Sequence, residues 1–301
     1  MAGPDVECLD HWPVSDRVYL TLDLEQDYGT AAPEVAFESA ARTDVLVDVL
    51  ERHNVPLTCF IQTQALETVP EAVRTLEECG VDVTFHAHSH THPKRSEAKI
   101  GTEISESVGR VRNRFDVDPV GFRFPDGTLK QTDYYRLAAH DVAFDASVFP
   151  TWRPGRFNRS SASPYPFRHS PTDVVELPFS VVTPTLRVPV SLSYLKLLGR
   201  PFEELVYRIR PPVVVFDMHM HDLIVPSMYD SLPRHYRGIY GRRKHSGVEV
   251  LDRFVDRFKS MGYRFRVIAD LYEDTREAMD GGALEETQIR ADDRNRLGGE
   301  L

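Results

Sequence analysis

Short apolar runs alternate with amphipathic, helix-like stretches along most of the chain, and this alternation restricts the fold more than any other feature. The apolar runs lie at 17–22, 56–62, 81–85, 120–123, 142–144, 213–216 and 263–268. The helical patterns lie at 34–53, 65–79, 96–115, 131–139, 202–209 and 247–261. Strands that alternate with helices pair in parallel, with the helices packed outside the sheet. The sequence therefore predicts an α/β fold, either a barrel or a doubly wound sheet.

The alternation lapses between Phe149 and about Ser193, where residues 151–171 are rich in Pro, Arg, Ser and aromatic residues. A loop of this length inside a compact domain usually has a binding role. We interpret it as one wall of a ligand groove.

Composition excludes several classes of protein. The chain has 301 residues, 41% of them hydrophobic and 27% charged, and its net charge of −10 disfavours nucleic acid or an anionic membrane as partner. No run approaches the roughly 18 apolar residues of a membrane span, and residues 1–16 lack the pattern of a signal peptide. We expect a cytoplasmic protein with an N-terminal extension (1–16), a single catalytic domain (17–275) and a polar, flexible tail (276–301).

Polar and ionisable residues follow four of the predicted strands. They are Asp23, Glu25 and Asp27; the histidines from His86 to His92; Arg123 to Gly127; and His219 to Asp222. Ligands of parallel α/β proteins bind at the carboxyl ends of the strands. The four groups therefore predict one site at that edge.

Four histidines fall within seven positions, at His86, His88, His90 and His92. Alternation places all four on one side of an extended chain, whereas a helix beginning at Ser89 would place His88 and His92 one turn apart. The helical geometry suits a single ion, because side chains at i and i+4 converge on one point. Two imidazoles and a carboxylate hold Zn²⁺ with one coordination position left for water. We expect a metal site of a hydrolase.

Five motifs, in this order and spacing, resemble those of the polysaccharide deacetylases (the NodB-homology domain, carbohydrate esterase family four). They are Leu20 to Glu25, the H-[ST]-x-x-H motif from His88 to His92 with Pro93 after it, the R-x-P-x-G motif from Arg123 to Gly127, Phe144 to Pro150, and the strand Val214 to His219. The resemblance covers about residues 17–270. It implies a distorted (β/α) barrel of about seven strands.

The resemblance also implies a metal site. His88 and His92 would be two ligands of one divalent transition metal, Zn²⁺ first, with Co²⁺, Mn²⁺ or Ni²⁺ as alternatives. Glu25 would be the third ligand. The family commonly has adjacent aspartates in the first motif, whereas this chain has Asp23 and Glu25 with one residue between them, and Asp27 is a rival to Glu25.

The resemblance also implies catalytic roles for individual residues of this chain. Asp23 would be the general base that deprotonates the water at the metal, and Arg123 would hold the Asp23 carboxylate in place. His219 would be the general acid that protonates the departing amine, with Asp145 to orient it. His221 lies one alternation further along and is a rival to His219.

Substrate contacts are predicted at Pro125, Asp126, Trp152 and Tyr194. Asp126 stands where the family usually has an aromatic residue, so sugar stacking there would change. The tryptophan and the tyrosine can stack on sugar faces. A basic loop at 234–245 can bind a phosphate or uronate, or be a solvated surface loop.

The resemblance implies a metal-dependent N-deacetylase that removes acetyl from an amino sugar in a glycan or glycoconjugate. Two alternatives remain: an allantoinase-like amidohydrolase on small non-sugar amides, and a catalytically silent carbohydrate-binding relative. The sequence leaves the oligomeric state, the sugar and the native metal open.

Overall fold

The computed structural model describes residues 5–92, 94–153 and 157–281. The strands are β1 (Val6–Cys8), β2 (Arg17–Leu24), β3 (Leu57–Gln62), β4 (Val83–Ser89), β5 (Val120–Phe122), β6 (Val142–Asp145), β7 (Trp152–Arg153), β8 (Phe157–Asn158), β9 (Phe167–His169), β10 (Val174–Glu176), β11 (Val213–His219) and β12 (Arg264–Phe265). The α-helices are α1 (Asp44–His53), α2 (Ala65–Thr68), α3 (Pro70–Glu77), α4 (Ile100–Phe115), α5 (Asp133–Ala138), α6 (Leu192–Leu198), α7 (Arg200–Ile209), α8 (Met220–Leu223), α9 (Arg234–Tyr240) and α10 (Gly247–Ser260). Residues 268–281 are also helical.

Seven of the described strands pair in parallel in the order β11-β2-β3-β4-β5-β6-β10, and the two-residue strand β12 also pairs in parallel with β2. The irregular chain at 177–191 runs between the two ends of this sheet. Leu177 donates its N–H to the Asp145 carbonyl at 2.8 Å, and Ser180 Oγ accepts the Val215 N–H at 2.8 Å. These contacts close the sheet into a distorted (β/α) barrel, which confirms the predicted fold.

The barrel interior is apolar at the amino ends of the strands and polar at their carboxyl ends. Tyr19, Phe60 and Phe144 are fully buried in the apolar part, and Ile268 packs with them. Successive inward positions on one strand are two residues apart, so Asp23 on β2 lies on the same inward face as Tyr19 but nearer the carboxyl end. The core therefore supports a polar site at one end of the barrel.

The strand that carries the histidines is longer than predicted. It spans Val83–Ser89, so His86 and His88 lie within β4 and alternate with its buried apolar residues. The chain does not become helical at Ser89. It turns instead, and His92 has a φ of 50°.

Several helices are shorter than predicted. The stretch 34–53 is α-helical only from Asp44, and the stretch 65–79 divides into α2 and α3 at Pro70. Proline lacks the N–H that would continue the first helix, but it is well accommodated in the first turn of the next one. Helix α4 begins at Ile100 rather than at Ser96.

Both predicted termini contribute to the fold. Strand β1 pairs antiparallel with β9, and Trp12 is buried, so the segment assigned as an extension joins the sheet. At the other end the chain stays helical to residue 281 with Met279 buried, although the tail was placed from 276. Residues 282–301 lie outside the described part of the chain.

The irregular region predicted as a groove wall contains four short strands. Strands β7 and β8 form an antiparallel hairpin, whereas β9 and β10 extend the barrel sheet. In the described residues, no helix is long and apolar enough to cross a membrane.

Candidate active site

Three predicted ligands meet at the carboxyl end of the barrel. Glu25 directly follows β2, His88 lies in β4, and His92 lies in the turn after it. His88 Nε2 is 3.1 Å from Glu25 Oε2, and His92 Nε2 contacts the same oxygen. One donor atom from each residue lies within 4.8 Å of the others, and all three side chains are buried. Burial opposes ionisation of Glu25, but the two imidazoles hold its pKa well below the usual range.

Gly29 lies against the turn that carries His92, where a side chain would not fit. A Cβ at this position would lie 3.1 Å from His92 Cε1 and 3.4 Å from Glu25 Oε1. The glycine also has a φ of +52°, which a side chain would strain. The position therefore requires glycine for both backbone and packing reasons.

Asp27, the rival third ligand, faces a different segment. Its carboxylate accepts the Glu38 N–H at 2.8 Å and the Ser39 N–H at 3.1 Å, and it also contacts the Ser39 hydroxyl. Asp27 thus fixes the loop after β2, and the structure brings Glu25 to the histidines.

Asp23 is held by a fully buried arginine. Arg123 Nη1 donates to Asp23 Oδ1 at 2.7 Å and to Asp217 Oδ1 at 3.2 Å. The guanidinium lies between two rings, with Cζ 4.1 Å from the Phe60 centroid and 4.4 Å from that of Phe179. One cation therefore fixes two neighbouring carboxylates. Burial, and then the charge of Asp23, raise the pKa of Asp217 to about 7.

His219 ends β11, directly beside Asp23 on the adjacent strand. Its Nε2 is 3.8 Å from Asp23 Oδ2 and 3.5 Å from Glu25 Oε1, while its Nδ1 is 3.4 Å from Asp222 Oδ2. Lys196 Nζ donates to the Asp222 carbonyl at 2.6 Å and lies 3.5 Å from its carboxylate. The imidazole is thus oriented with one nitrogen toward Asp222 and the other toward Asp23 and Glu25.

The environments of His219 and His221 differ. Burial disfavours protonation of His219, yet Asp217 and Asp222 raise its pKa well above the usual range. His221 Nδ1 accepts the Tyr28 backbone N–H at 3.2 Å, and burial together with the charge on His219 lowers its pKa to about 3. His221 is therefore neutral at pH 7, and His219 is the better proton donor.

The carboxylate of Asp145 contacts the chain after β6 rather than His219. Its carboxylate accepts the Ser147 N–H at 3.0 Å and the Ser147 hydroxyl at 2.9 Å. Ser147 Oγ in turn accepts the Phe124 N–H at 2.7 Å. Glu176 on β10 accepts the same Ser147 N–H at 3.1 Å. The structure therefore brings Asp145 to the segment beside Arg123 and not to His219, the residue it was predicted to orient.

Asp145 and Glu176 form a buried acid pair, and this gives a stability prediction. Burial raises the pKa of Asp145 to about 6; burial, and then Asp145, raise that of Glu176 well above its usual range. The folded state retains protons that the unfolded chain releases, so stability falls as the pH rises from about 4 through the folded pKa values. Glu176→Gln removes one of the two ionisations, and we expect it to flatten this fall.

The measurement is the melting temperature from about pH 4 to about pH 8, which spans the relevant ionisations. Glu204→Gln, at an exposed position on α7, is the matched control. Wild type and Glu176→Gln curves that fall in parallel would contradict the assignment of the acid pair.

Asp23, His219 and Glu25 line one cleft. Of the predicted substrate contacts, Asp126 and Tyr194 line this cleft. Pro125 lines an adjoining groove instead, and Trp152 is 63% exposed on the β7–β8 hairpin and does not line the cleft. The tryptophan of the hairpin faces solvent. The sequence alone does not show whether an aromatic residue in such a loop faces a cleft or solvent.

The predicted basic loop has two parts. Helix α9 brings Tyr240 to the cleft. Beyond it, Arg243 pairs with the buried Glu203 at 2.8 Å, and Lys244 lies 4.3 Å over the Tyr229 ring. At least these two cations have structural partners.

Sequence reasoning missed Asp217 and Lys196, and it placed Asp222 at the site without giving it a role. Asp217 was detectable, because it lies two positions before His219 on a strand and so faces the same side. The contact between Asp222 and Lys196 was not detectable, because it depends on how α6 packs against the short helix after β11.

A family model described as polysaccharide deacetylase matches residues 14–146. This part of the chain is similar to the polysaccharide deacetylase family. It contains Asp23 and all three candidate metal ligands, whereas His219 lies beyond it. No curated protein matches the chain.

Solved structures of polysaccharide deacetylases show a similar fold. One, described as a polysaccharide deacetylase from Mycobacterium smegmatis, is 16% identical with a TM-score of 0.59, covering 93% of this chain and 94% of that one. Another, from Pseudomonas aeruginosa PAO1, is 15% identical with a TM-score of 0.54, covering 86% and 91%. The Puue allantoinase is 13% identical with a TM-score of 0.53, covering 86% and 90%. At these identities the likeness concerns the fold alone.

Proposed function

We propose that this protein is a metal-dependent N-deacetylase that releases acetate from an N-acetylated amino sugar in a glycan or glycoconjugate. The observation that carries the proposal is the convergence of Glu25, His88 and His92 beside the Arg123-held Asp23 carboxylate. The family of residues 14–146 supports deacetylation as the reaction class.

The ligand set fits a divalent transition metal. It offers two imidazole nitrogens and one carboxylate oxygen, all buried and mutually close, and this donor set is typical of hydrolytic Zn²⁺ sites. When bound, the ion supplies Lewis-acid activation of water and of the acetamide carbonyl. We infer Zn²⁺ from this donor set. Co²⁺, Mn²⁺ and Ni²⁺ are alternatives, because the same donors also bind these ions.

Asp23 serves as the general base. Its Oδ1 is engaged by Arg123 at 2.7 Å, so the carboxylate has a fixed orientation and its other oxygen faces His219. A carboxylate held in this orientation can accept a proton from a water beside the metal ligands without first rotating into place. Arg123 therefore acts through Asp23 by positioning it.

His219 serves as the general acid. Its Nδ1 faces Asp222, which leaves Nε2 directed toward the base and the ligands, where the amide bond breaks. Donation of the Nε2 proton to the departing nitrogen releases the amine rather than an unstable anion. Asp222 stabilises the charged imidazole before the transfer.

This assignment predicts the basic limb of the pH profile. Because its surroundings raise the pKa of His219, the acid remains protonated above the usual histidine pKa, and kcat should fall only as the pH rises through that raised value. We expect His219→Gln to lower kcat by about 10²–10⁴-fold and to remove this limb. The test is the pH dependence of kcat for both proteins; an unchanged basic limb in the variant would exclude His219 as the acid.

The general test is acetate release from chito-oligomers, nucleotide-linked N-acetyl sugars and small ureido compounds. Release from the N-acetylated sugars and no cleavage of the ureido compounds is expected. Turnover of ureido compounds alone would favour the allantoinase-like alternative, and no turnover with metal bound would favour a silent sugar-binding relative.

A further inference from the structure

Arg153 lines the cleft beside the proposed catalytic residues, yet the reaction as described gives it no role. It lies in β7, directly opposite Phe157 on β8. Its Cζ lies 5.7 Å from the ring centroids of both Phe149 and Phe157. Aromatic faces stabilise a guanidinium without using its N–H donors. The two rings thus support the cation at the wall of the cleft.

Arg153 has no carboxylate partner among the residues that the structure describes, and it makes no hydrogen bond to any of them. The other arginine of the cleft, Arg123, is paired with two carboxylates, and Arg243 is paired with Glu203. A half-buried guanidinium with five free donors is suited to bidentate binding of a carboxylate or phosphoryl group.

An aromatic stack sets the distance between the two arginines of the cleft. Arg123 lies over Phe179, Phe179 stacks on Phe149 with centroids 3.6 Å apart, and Phe149 adjoins Arg153. Two stacked rings therefore separate the cation that holds the base from the cation that is unpaired. An anion at Arg153 would belong to a part of the substrate away from the reacting acetamide.

The existing ion pairs favour this separation. Arg123 is already shared by Asp23 and Asp217, so a second anionic group is attracted to Arg153, the cation of the cleft that is not paired with a described carboxylate. A substrate with an acetamide at one position and an anion at another is therefore oriented in one direction along the cleft.

We propose that Arg153 binds an anionic carboxylate or phosphoryl group carried by the N-acetylated sugar substrate. The inference rests on the proposed deacetylase function and narrows it to charged amino-sugar substrates. Neutral oligomers of the same sugar lack the group that Arg153 recognises and are poorer substrates.

The test compares three probes: neutral tri-N-acetylchitotriose, a hyaluronan tetrasaccharide as the carboxylate probe, and UDP-N-acetylglucosamine as the phosphoryl probe. Calorimetric binding and acetate release are measured for the full-length wild type, Arg153→Gln, Arg153→Lys and Arg208→Gln. Arg208 is exposed on α7 and outside the cleft, so it is the matched control.

We expect Arg153→Gln to weaken binding and kcat/KM for at least one anionic probe by about tenfold or more and to change the neutral probe little. Arg153→Lys should restore part of the loss, and Arg208→Gln should resemble wild type. The probe that loses affinity identifies the anion as carboxylate or phosphoryl.

Equal losses on neutral and anionic probes, or no charge preference in the wild type, would overturn the inference. Acetate release without charge preference would retain the deacetylase and remove the role of Arg153. Charge-selective binding that depends on Arg153, without acetate release from any probe, would retain that role and remove the deacetylase.

Discussion

Asp23→Asn is expected to lower kcat for acetate release by about 10²–10⁴-fold while the metal content stays at the wild-type level. Asparagine keeps the shape of the side chain and a hydrogen bond to Arg123, but its amide cannot accept the proton. The candidate metal ligands are Glu25 and the two histidines, and Asp23 is absent from that set. The variant therefore separates the base from the metal site.

The measurements are kcat, metal stoichiometry and melting temperature for wild type, Asp23→Asn and Asp48→Asn. Asp48 is exposed on α1, so its substitution controls for loss of one negative charge. Near wild-type turnover of Asp23→Asn would exclude Asp23 as the base. Loss of the metal in this variant would show that Asp23 is a ligand instead.

His92→Ala is expected to remove both the metal and the activity. The side chain is buried, its Nε2 contacts Glu25, and among the described residues its ligand group contains only Glu25 and His88 besides it. Loss of residues that merely support metal ligands costs about 10–100-fold in metal affinity or activity. Loss of a ligand should therefore lower kcat/KM by more than about 100-fold.

His90→Ala is the matched control, because it removes an imidazole from the same turn. His90 contacts Thr63 at 3.0 Å and is partly exposed. Its variant should keep the metal and most of the activity. If His92→Ala binds metal and turns over like His90→Ala, the assigned ligand set is wrong.

The regular alternation of strands and helices predicts a parallel α/β sheet, and the resemblance to the polysaccharide deacetylases is what favours a barrel over a doubly wound sheet. The register follows from this pattern, since parallel strands of similar length bring Asp23 and His219 side by side. It does not predict how the barrel closes. Closure depends on the irregular residues 177–191, whose contacts involve single hydroxyls such as that of Ser180 rather than a periodic pattern.

The sequence likewise predicts some residues of the site and not others. His88 and Glu25 follow from their positions at strand ends, but the approach of His92 depends on a left-handed turn and on the space at Gly29. Asp145 follows the expected motif, yet its partner is Glu176. That residue comes from a short strand within the irregular region, and periodicity alone could not place it beside β6.

The central claim is tested most directly by locating the metal in the purified full-length protein by anomalous diffraction at the zinc edge. We predict one ion per chain bound by Glu25, His88 and His92, with Zn–N distances of about 2.0–2.1 Å. Two other clusters of potential ligands lie nearby: His219, His221 and Asp222, and Asp23, Asp217 and His219. An ion at either of these two clusters, or none at any of the three positions, would contradict the account.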